Sequence, residues 1–155
     1  MRFNGPALRA AIIPTLLAGV LGNAFVGKGA LAWFASLRQP RLQIPMPAFV
    51  AVGAVYYVEL GVVLYRANQR NDRIARRLGW LVLAGNELWN AVFFGPRSTR
   101  NGFAGLLVFL VPLGGLQWTV RHDRRSLIAL TPYTAWVVGY DLPWLYQLWK
   151  LNQPR

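Results

Sequence analysis

The chain has no cysteine, a single histidine and only five acidic residues among 155. Without cysteine it has no disulfide framework, no thiolate metal site and no cysteine nucleophile. The lone histidine, His122, excludes a multi-histidine metal site. No nucleophile–base pair and no nucleotide-binding loop is visible either. We therefore expect no metal, no cofactor and no catalytic residues, which favours binding over catalysis and leaves enzymatic activity open.

Charge is also scarce within five long apolar stretches. The formal net charge is +12, but the basic residues lie in short clusters between these stretches, which argues against a nucleic-acid-binding face. Each stretch approaches the roughly 17–25 residues that a helix needs to cross a bilayer. With 55% hydrophobic residues, the alternative of a soluble helical bundle would have too little polar surface. We expect an all-α membrane protein, a single domain over residues 1–155, with spans at 7–26, 44–65, 78–95, 102–120 and 127–149.

The first connection, residues 27–43, is long enough to have its own structure. It starts with glycines, ends near prolines and contains an apolar patch at residues 30–37. We expect it to fold back over the five-transmembrane-helix bundle as a lid. An excess of basic residues on the face that carries the amino terminus places that terminus inside. A cleaved signal peptide is the alternative for the first span.

Four motifs occur in order along these predicted spans and connections. They are Trp33-Phe34-x-x-Leu37-x-Gln39-Pro40, Asn86-x-x-Trp89-x-x-x-Phe93-Phe94, Pro132-Tyr133-x-x-Trp136 and the terminal Leu151-Asn152. With the five spans and the long first connection, they resemble the translocator protein family, also called tryptophan-rich sensory proteins or peripheral-type benzodiazepine receptors. The resemblance covers nearly the whole chain.

The resemblance implies a five-helix bundle with a ligand cavity near one membrane face. The family binds porphyrins, haem precursors, cholesterol and related lipids, and many members form homodimers. Some bacterial members resemble stress or tetrapyrrole regulators, and light-dependent porphyrin breakdown has been proposed for some. For this chain the resemblance implies a multi-pass protein of a bacterial cell membrane. Its expected partners are a porphyrin or sterol-like molecule, membrane lipids and a second copy of the chain, with no nucleic acid.

The chain also departs from the family's pattern. Gly53 stands where the family usually has tryptophan, Phe34 where it has tyrosine, and Ala91 where it has proline. The fifth-span motif is followed by an apparent one-residue insertion before Leu151-Asn152. The missing indole at Gly53 is one of two that the resemblance ties to porphyrin photochemistry, so that chemistry is doubtful here.

Spacing indicates which side chains face the bundle interior. Asn86, Trp89, Asn90 and Phe93 share one helical face, and amides are costly in hydrocarbon. Each Asn either orients a ligand or hydrogen-bonds a neighbouring helix. Tyr133, Trp136, Tyr140 and Trp144 follow one face of the fifth span, as cavity lining or as packing core. With depth along the spans and the resemblance, the predicted ligand-binding set is Trp33, Phe34, Phe49, Gly53, Tyr57, Asn86, Trp89, Phe93, Trp136 and Tyr140.

The leading functional hypothesis is a membrane receptor or carrier for a planar apolar ligand, with Arg38 and Arg41 near the cavity mouth able to pair with propionates. The alternatives are a light-dependent porphyrin-degrading enzyme and a structural membrane protein without a ligand. By height in the membrane, Glu59 and Arg9 are also expected to form an ion pair.

Overall fold

The computed structural model describes residues 5–22 and 26–153, and this part of the chain is helical without a β-strand. Between residues 124 and 151 the final three helical elements follow one another without a loop. The elements are α1 (Gly5–Gly22), α2 (Lys28–Ser36), α3 (Met46–Gln69), α4 (Arg73–Phe94), α5 (Thr99–Thr119), a 3₁₀ turn (Val120–His122), α6 (Arg124–Trp136), a π-helical segment (Val137–Asp141) and α7 (Leu142–Leu151).

Local sequence signals set several of these boundaries. Asp72 caps α4 by accepting a hydrogen bond from the Ala75 backbone N–H at 2.9 Å. Ser98 caps α5 in the same way through the Asn101 N–H at 3.2 Å. Pro47 lies in the first turn of α3, where its missing N–H costs no helical hydrogen bond. The ends of these helices differ from the ends of the predicted spans by at most five residues.

The outer surface of the bundle is apolar. Two helical stretches among the described residues, Met46–Gln69 and Thr99–His122, are long and apolar enough to cross a membrane. Only 22% and 28% of their apolar windows is buried inside the protein, unlike the core helix of a soluble protein. Val58, Val108 and Val111 are 69%, 72% and 74% exposed. Such a surface fits hydrocarbon rather than water.

The π-helical segment Val137–Asp141 interrupts what is otherwise one continuous helix from residue 124 to residue 151. A π turn takes up one more residue than an α turn, and such turns often occur at functional sites. The segment lies within the stretch before Leu151-Asn152 for which the resemblance implies an extra residue, and that motif stands at the end of α7.

The first connection is tied to the carboxyl-terminal helix. The Asn152 side chain accepts a hydrogen bond from the Arg38 backbone N–H and donates to the Arg38 carbonyl, both at 3.0 Å. The Tyr140 hydroxyl donates to the Leu42 carbonyl at 2.8 Å and accepts from the Ile44 N–H at 3.2 Å. These bonds hold the segment after α2 against the end of the bundle. Asn152 therefore has a structural role.

An ionic cluster holds the opposite end of the bundle. Arg66 of α3 donates two hydrogen bonds of 2.6 Å to Asp123, the residue before α6, and Arg70 lies 3.4 Å from the same carboxylate. The expected pair of Glu59 with Arg9 is wrong. Among residues 5–22 and 26–153, Asp123 is the carboxylate that forms ion pairs.

Candidate ligand cavity

A cavity of about 460 Å³ lies between α3, α4 and the α6–α7 helix, on the side of the bundle that carries α2. Its walls are mostly aromatic and aliphatic, which is typical of a small-molecule site. The principal lining residues are Phe34 of α2, Phe49, Gly53, Tyr56 and Tyr57 of α3, Asn86, Trp89, Asn90 and Phe93 of α4, and Tyr133, Trp136, Asp141 and Trp144 of the continuous α6–α7 helix (the last helix).

One wall of the cavity is a run of aromatic rings on the last helix and on α3. The Phe49 ring lies 5.2 Å from Trp144 and 6.5 Å from Trp136, measured between ring centroids. Trp136 and Tyr140 approach to 4.4 Å. Edge and tilted contacts of this kind stabilise the rings in fixed orientations. The result is a rigid apolar surface with room beside it for a flat molecule.

The α2 helix packs over one end of this cavity. Phe34 is 7% exposed and lies 6.2 Å from Phe93 and 6.1 Å from Trp144. Trp33 lies 5.3 Å from Phe93 but does not line the cavity. Phe34 therefore contributes to the cavity wall, while Trp33 packs behind it against the end of α4.

A polar network crosses the middle of the cavity wall. The Tyr133 hydroxyl donates to Asn86 Oδ1 at 3.0 Å, and Asn86 Nδ2 donates to Glu87 Oε1 at 3.2 Å. The Tyr57 hydroxyl donates to the same Oε1 at 2.6 Å. Asn86 thus links α4 to α6, as the packing alternative expects, and lines the cavity as well. Within the described residues, the Asn90 side chain lines the cavity without a hydrogen bond of its own.

Trp89 is held in place by a close approach of two helices. Its indole N–H donates to the Gly102 carbonyl of α5 at 2.8 Å, and its ring stacks on Phe93 at 5.0 Å. A Cβ atom at Gly102 would run into the Phe93 ring. The glycine therefore permits the helix contact that orients both aromatic rings toward the cavity.

Gly53 leaves a gap in the wall. A Cβ atom built at this position would meet no atom within 4 Å, although Gly53 lines the cavity. The position at which the resemblance expects an indole is therefore occupied by open space.

The structure brings most of the predicted set together around one cavity. Trp33 and Tyr140 are the two that do not line it, and both pack directly behind residues that do. Arg38 and Arg41, expected near the mouth, are exposed and do not line it. The predicted residues among its lining are Phe34, Phe49, Gly53, Tyr57, Asn86, Trp89, Phe93 and Trp136.

The predicted set leaves out four lining residues of the last helix, namely Tyr133, Asp141, Trp144 and Leu145. Tyr133 and Trp144 follow the same helical face as Trp136, so spacing alone points to them. Asp141 does not, because in a regular α-helix it lies about 100° away from Tyr140. The π turn between Trp136 and Asp141 rotates the carboxylate to the cavity side, where the Trp136 indole interacts with it.

Comparison with known proteins matches the chain to a family and to several relatives. The sequence model of the TspO/MBR family matches residues 10–141. The tryptophan-rich protein TspO of Archaeoglobus fulgidus is 26% identical over 135 residues, which covers 84% of this chain and 88% of that protein. The translocator protein of Ovis aries is 25% identical over 158 aligned positions, covering 97% of this chain and 92% of that protein.

Proposed function

The chain belongs to the TspO/MBR family of membrane-embedded proteins, and we propose that it is a receptor or carrier that binds a planar apolar ligand in the cavity between α3, α4 and the last helix. A porphyrin or another tetrapyrrole is the first candidate ligand, and a sterol-like lipid is the second. The role in the cell would be stress or tetrapyrrole regulation, as the family resemblance implies.

The observation that supports this proposal is the aromatic cavity itself. Its volume of about 460 Å³ lies within the range of roughly 300–1,000 Å³ that is usual for small-molecule sites. Trp136 and Trp89 contribute indole rings to the lining, and Asn86 adds a polar group to it. A purely structural bundle would close such a space, because unfilled volume costs packing energy.

We further propose that α1, α3, α4, α5 and the α6–α7 helix are the five spans, and that α2 is the lid. The apolar outer surface and the contact of Phe34 with Phe93 and Trp144 support this arrangement. The basic residues around Arg66 and Arg70 would then lie at the inner membrane surface, with the amino terminus. A second copy in the membrane, as in many members of the family, is the expected assembly.

Titration of the purified protein with protoporphyrin, followed by tryptophan fluorescence, tests the proposal. We expect saturable quenching, because bound porphyrin would lie within energy-transfer distance of Trp136, Trp89 and Trp144. A Trp136→Phe variant should bind more weakly, since it loses the larger stacking surface. Trp118→Phe is the matched control, because Trp118 is 66% exposed on the outer surface, where it stacks with Arg121.

The stacking role of Trp136 would be contradicted by equal affinities of Trp136→Phe and wild type. The proposal as a whole would be contradicted if neither protoporphyrin nor a sterol showed saturable binding. Illumination of the porphyrin complex separates binding from the enzymatic alternative. With Gly53 in place of the expected indole, we expect no loss of bound porphyrin in the light.

A further inference from the structure

Acidic and basic residues are distributed differently between the cavity and the surface of this protein. The chain carries 17 basic and only five acidic residues, so a random lining would be expected to be basic. Among the described residues the cavity has no lysine or arginine in its lining, and it has Asp141. Glu87 stands next to it, bonded to the lining residues Tyr57 and Asn86. Of the five acidic residues of the chain, one therefore lines the cavity and a second bonds to its lining.

One oxygen of the Glu87 carboxylate receives no hydrogen bond from the described residues. Both Tyr57 and Asn86 donate to Oε1, while Oε2 is buried and has no hydrogen-bond partner within the described part of the chain. A buried carboxylate oxygen without a donor is costly, so its presence suggests a donor that the protein alone does not supply. Asn90, one turn further along α4, adds an unpaired amide to the cavity wall.

Asp141 and the aromatic wall complete the arrangement. Tyr133 lines the cavity together with Asp141 and is joined to Glu87 through Asn86. Trp136, Trp144 and Phe49 present aromatic faces along the same cavity. Carboxylates next to aromatic faces attract organic cations through both ion pairing and cation–π contacts.

We propose that the cavity prefers planar apolar ligands that carry a protonated amine, with the ammonium group attracted by the acidic part of the wall, where Asp141 lines the cavity and Glu87 bonds to the lining residues Tyr57 and Asn86. This inference rests on the proposed function, because it assigns the ligand class of the same cavity. It adds a charge preference to that function: a porphyrin would bind with its macrocycle in the cavity and its propionates outside it, where Arg38 and Arg41 are exposed.

Three probes with one ring system test the preference. Pyrenemethylamine, pyrenemethanol and pyrenecarboxylic acid share a flat fluorescent ring and differ in their polar group. Binding is followed by energy transfer from tryptophan to pyrene, with the protein in nanodiscs of uncharged lipid and empty nanodiscs as the blank. We expect the amine to bind roughly 10- to 100-fold more tightly than the alcohol, as for hydrogen bonds to a charged group, and the acid to bind most weakly.

Three variants locate the preference. Glu87→Gln and Asp141→Asn keep the shape of each side chain and remove its charge, so each should reduce the ratio of amine affinity to alcohol affinity. Glu59→Gln is the control, because Glu59 is an acidic residue of α3 that lies outside the cavity lining and, among the described residues, bonds to none of the lining side chains, unlike Glu87. It should keep the full preference.

The outcomes separate the two proposals. If the three probes bind alike, or if the preference survives in both cavity variants, the amine inference is wrong while the ligand cavity stands. If none of the probes nor protoporphyrin binds, the proposed function fails and the amine inference fails with it. The comparison of the three probes on the wild-type protein needs no variant, so it is decisive even if Glu87→Gln does not fold.

Discussion

The hydroxyl of Tyr140 offers a sharp test of how the end of the first connection is held against the α6–α7 helix. Tyr140→Phe removes the bond to the Leu42 carbonyl and the bond from the Ile44 N–H, while it keeps the ring that packs on Trp136 and Phe49. The substitution therefore loosens the segment after α2 without emptying the aromatic wall. Its effect should appear in the opening of that segment rather than in the stability of the bundle.

The size of the effect follows from the two bonds. A hydrogen bond contributes about 0.5–1.5 kcal/mol net, and the Tyr140 hydroxyl is partly solvent-accessible, so the lower half of that range applies. Two such bonds amount to roughly 1–2 kcal/mol, or about a 5- to 30-fold shift in an opening equilibrium. The Asn152 bonds to Arg38 remain, so the segment is weakened and not released.

Amide hydrogen exchange measures this opening residue by residue. The Arg38 N–H bonds to Asn152 and the Gln43 N–H bonds to the Pro40 carbonyl, so neither loses its own acceptor in Tyr140→Phe. We expect both amides to exchange about 5- to 30-fold faster if the segment opens as a unit. Tyr146→Phe is the control, since that ring lies on the outer side of α7 beside Phe103. Faster exchange at Ile44 alone would refute the cooperative opening of the segment.

Three further predictions concern stability and cavity space. Hydrogen bonds from Arg66 hold the pKa of Asp123 well below its usual value. The carboxylate therefore stabilises the fold above the ordinary pKa of about 4, and this contribution is lost as the pH falls toward the lowered pKa. Thermal melts should show a smaller loss of Tm below about pH 4 in Asp123→Asn than in wild type. Gly102→Ala should cost about 1–3 kcal/mol in the free energy of unfolding, because the methyl group would collide with the Phe93 ring. Gly53→Leu should fill open cavity space and weaken porphyrin binding by about tenfold or more, measured by fluorescence titration.

Matched controls exist for both glycine substitutions. A Cβ atom at Gly114 on α5 or at Gly61 on α3 would meet no atom within 4 Å, and neither glycine lines the cavity. Gly114→Ala should therefore leave the Tm near that of wild type, and Gly61→Leu should leave porphyrin affinity unchanged. An equal loss of stability in both alanine variants would contradict the Phe93 collision. Equal losses of porphyrin affinity in Gly53→Leu and Gly61→Leu would contradict the placement of Gly53 in the cavity wall. If the Tm of wild type and of Asp123→Asn fell equally below about pH 4, the stabilising role of the Asp123 carboxylate would be contradicted.

Much of the cavity wall is predictable from the sequence because it depends on helical spacing. Trp89 and Phe93 lie four residues apart on α4, and the structure stacks their rings at 5.0 Å. Spacing does not predict pairings between distant segments. The bond from the Trp144 indole to Gln43 Oε1, at 2.8 Å, joins residues about a hundred positions apart. Nothing in the local pattern of either residue signals the other, so this contact required the tertiary structure.

The π turn shows how a local departure from regular helical geometry can decide what a cavity wall presents. In a regular helix Asp141 would lie about 140° around the axis from Trp136. The wider turn at Val137–Asp141 changes this angle, and both residues line the cavity. The same helix continues to Leu151, where the Asn152 side chain bonds to the backbone of Arg38. The turn therefore adds an acidic group to the wall, and in a chain with a net charge of +12 we expect that group to decide which apolar ligands are accepted.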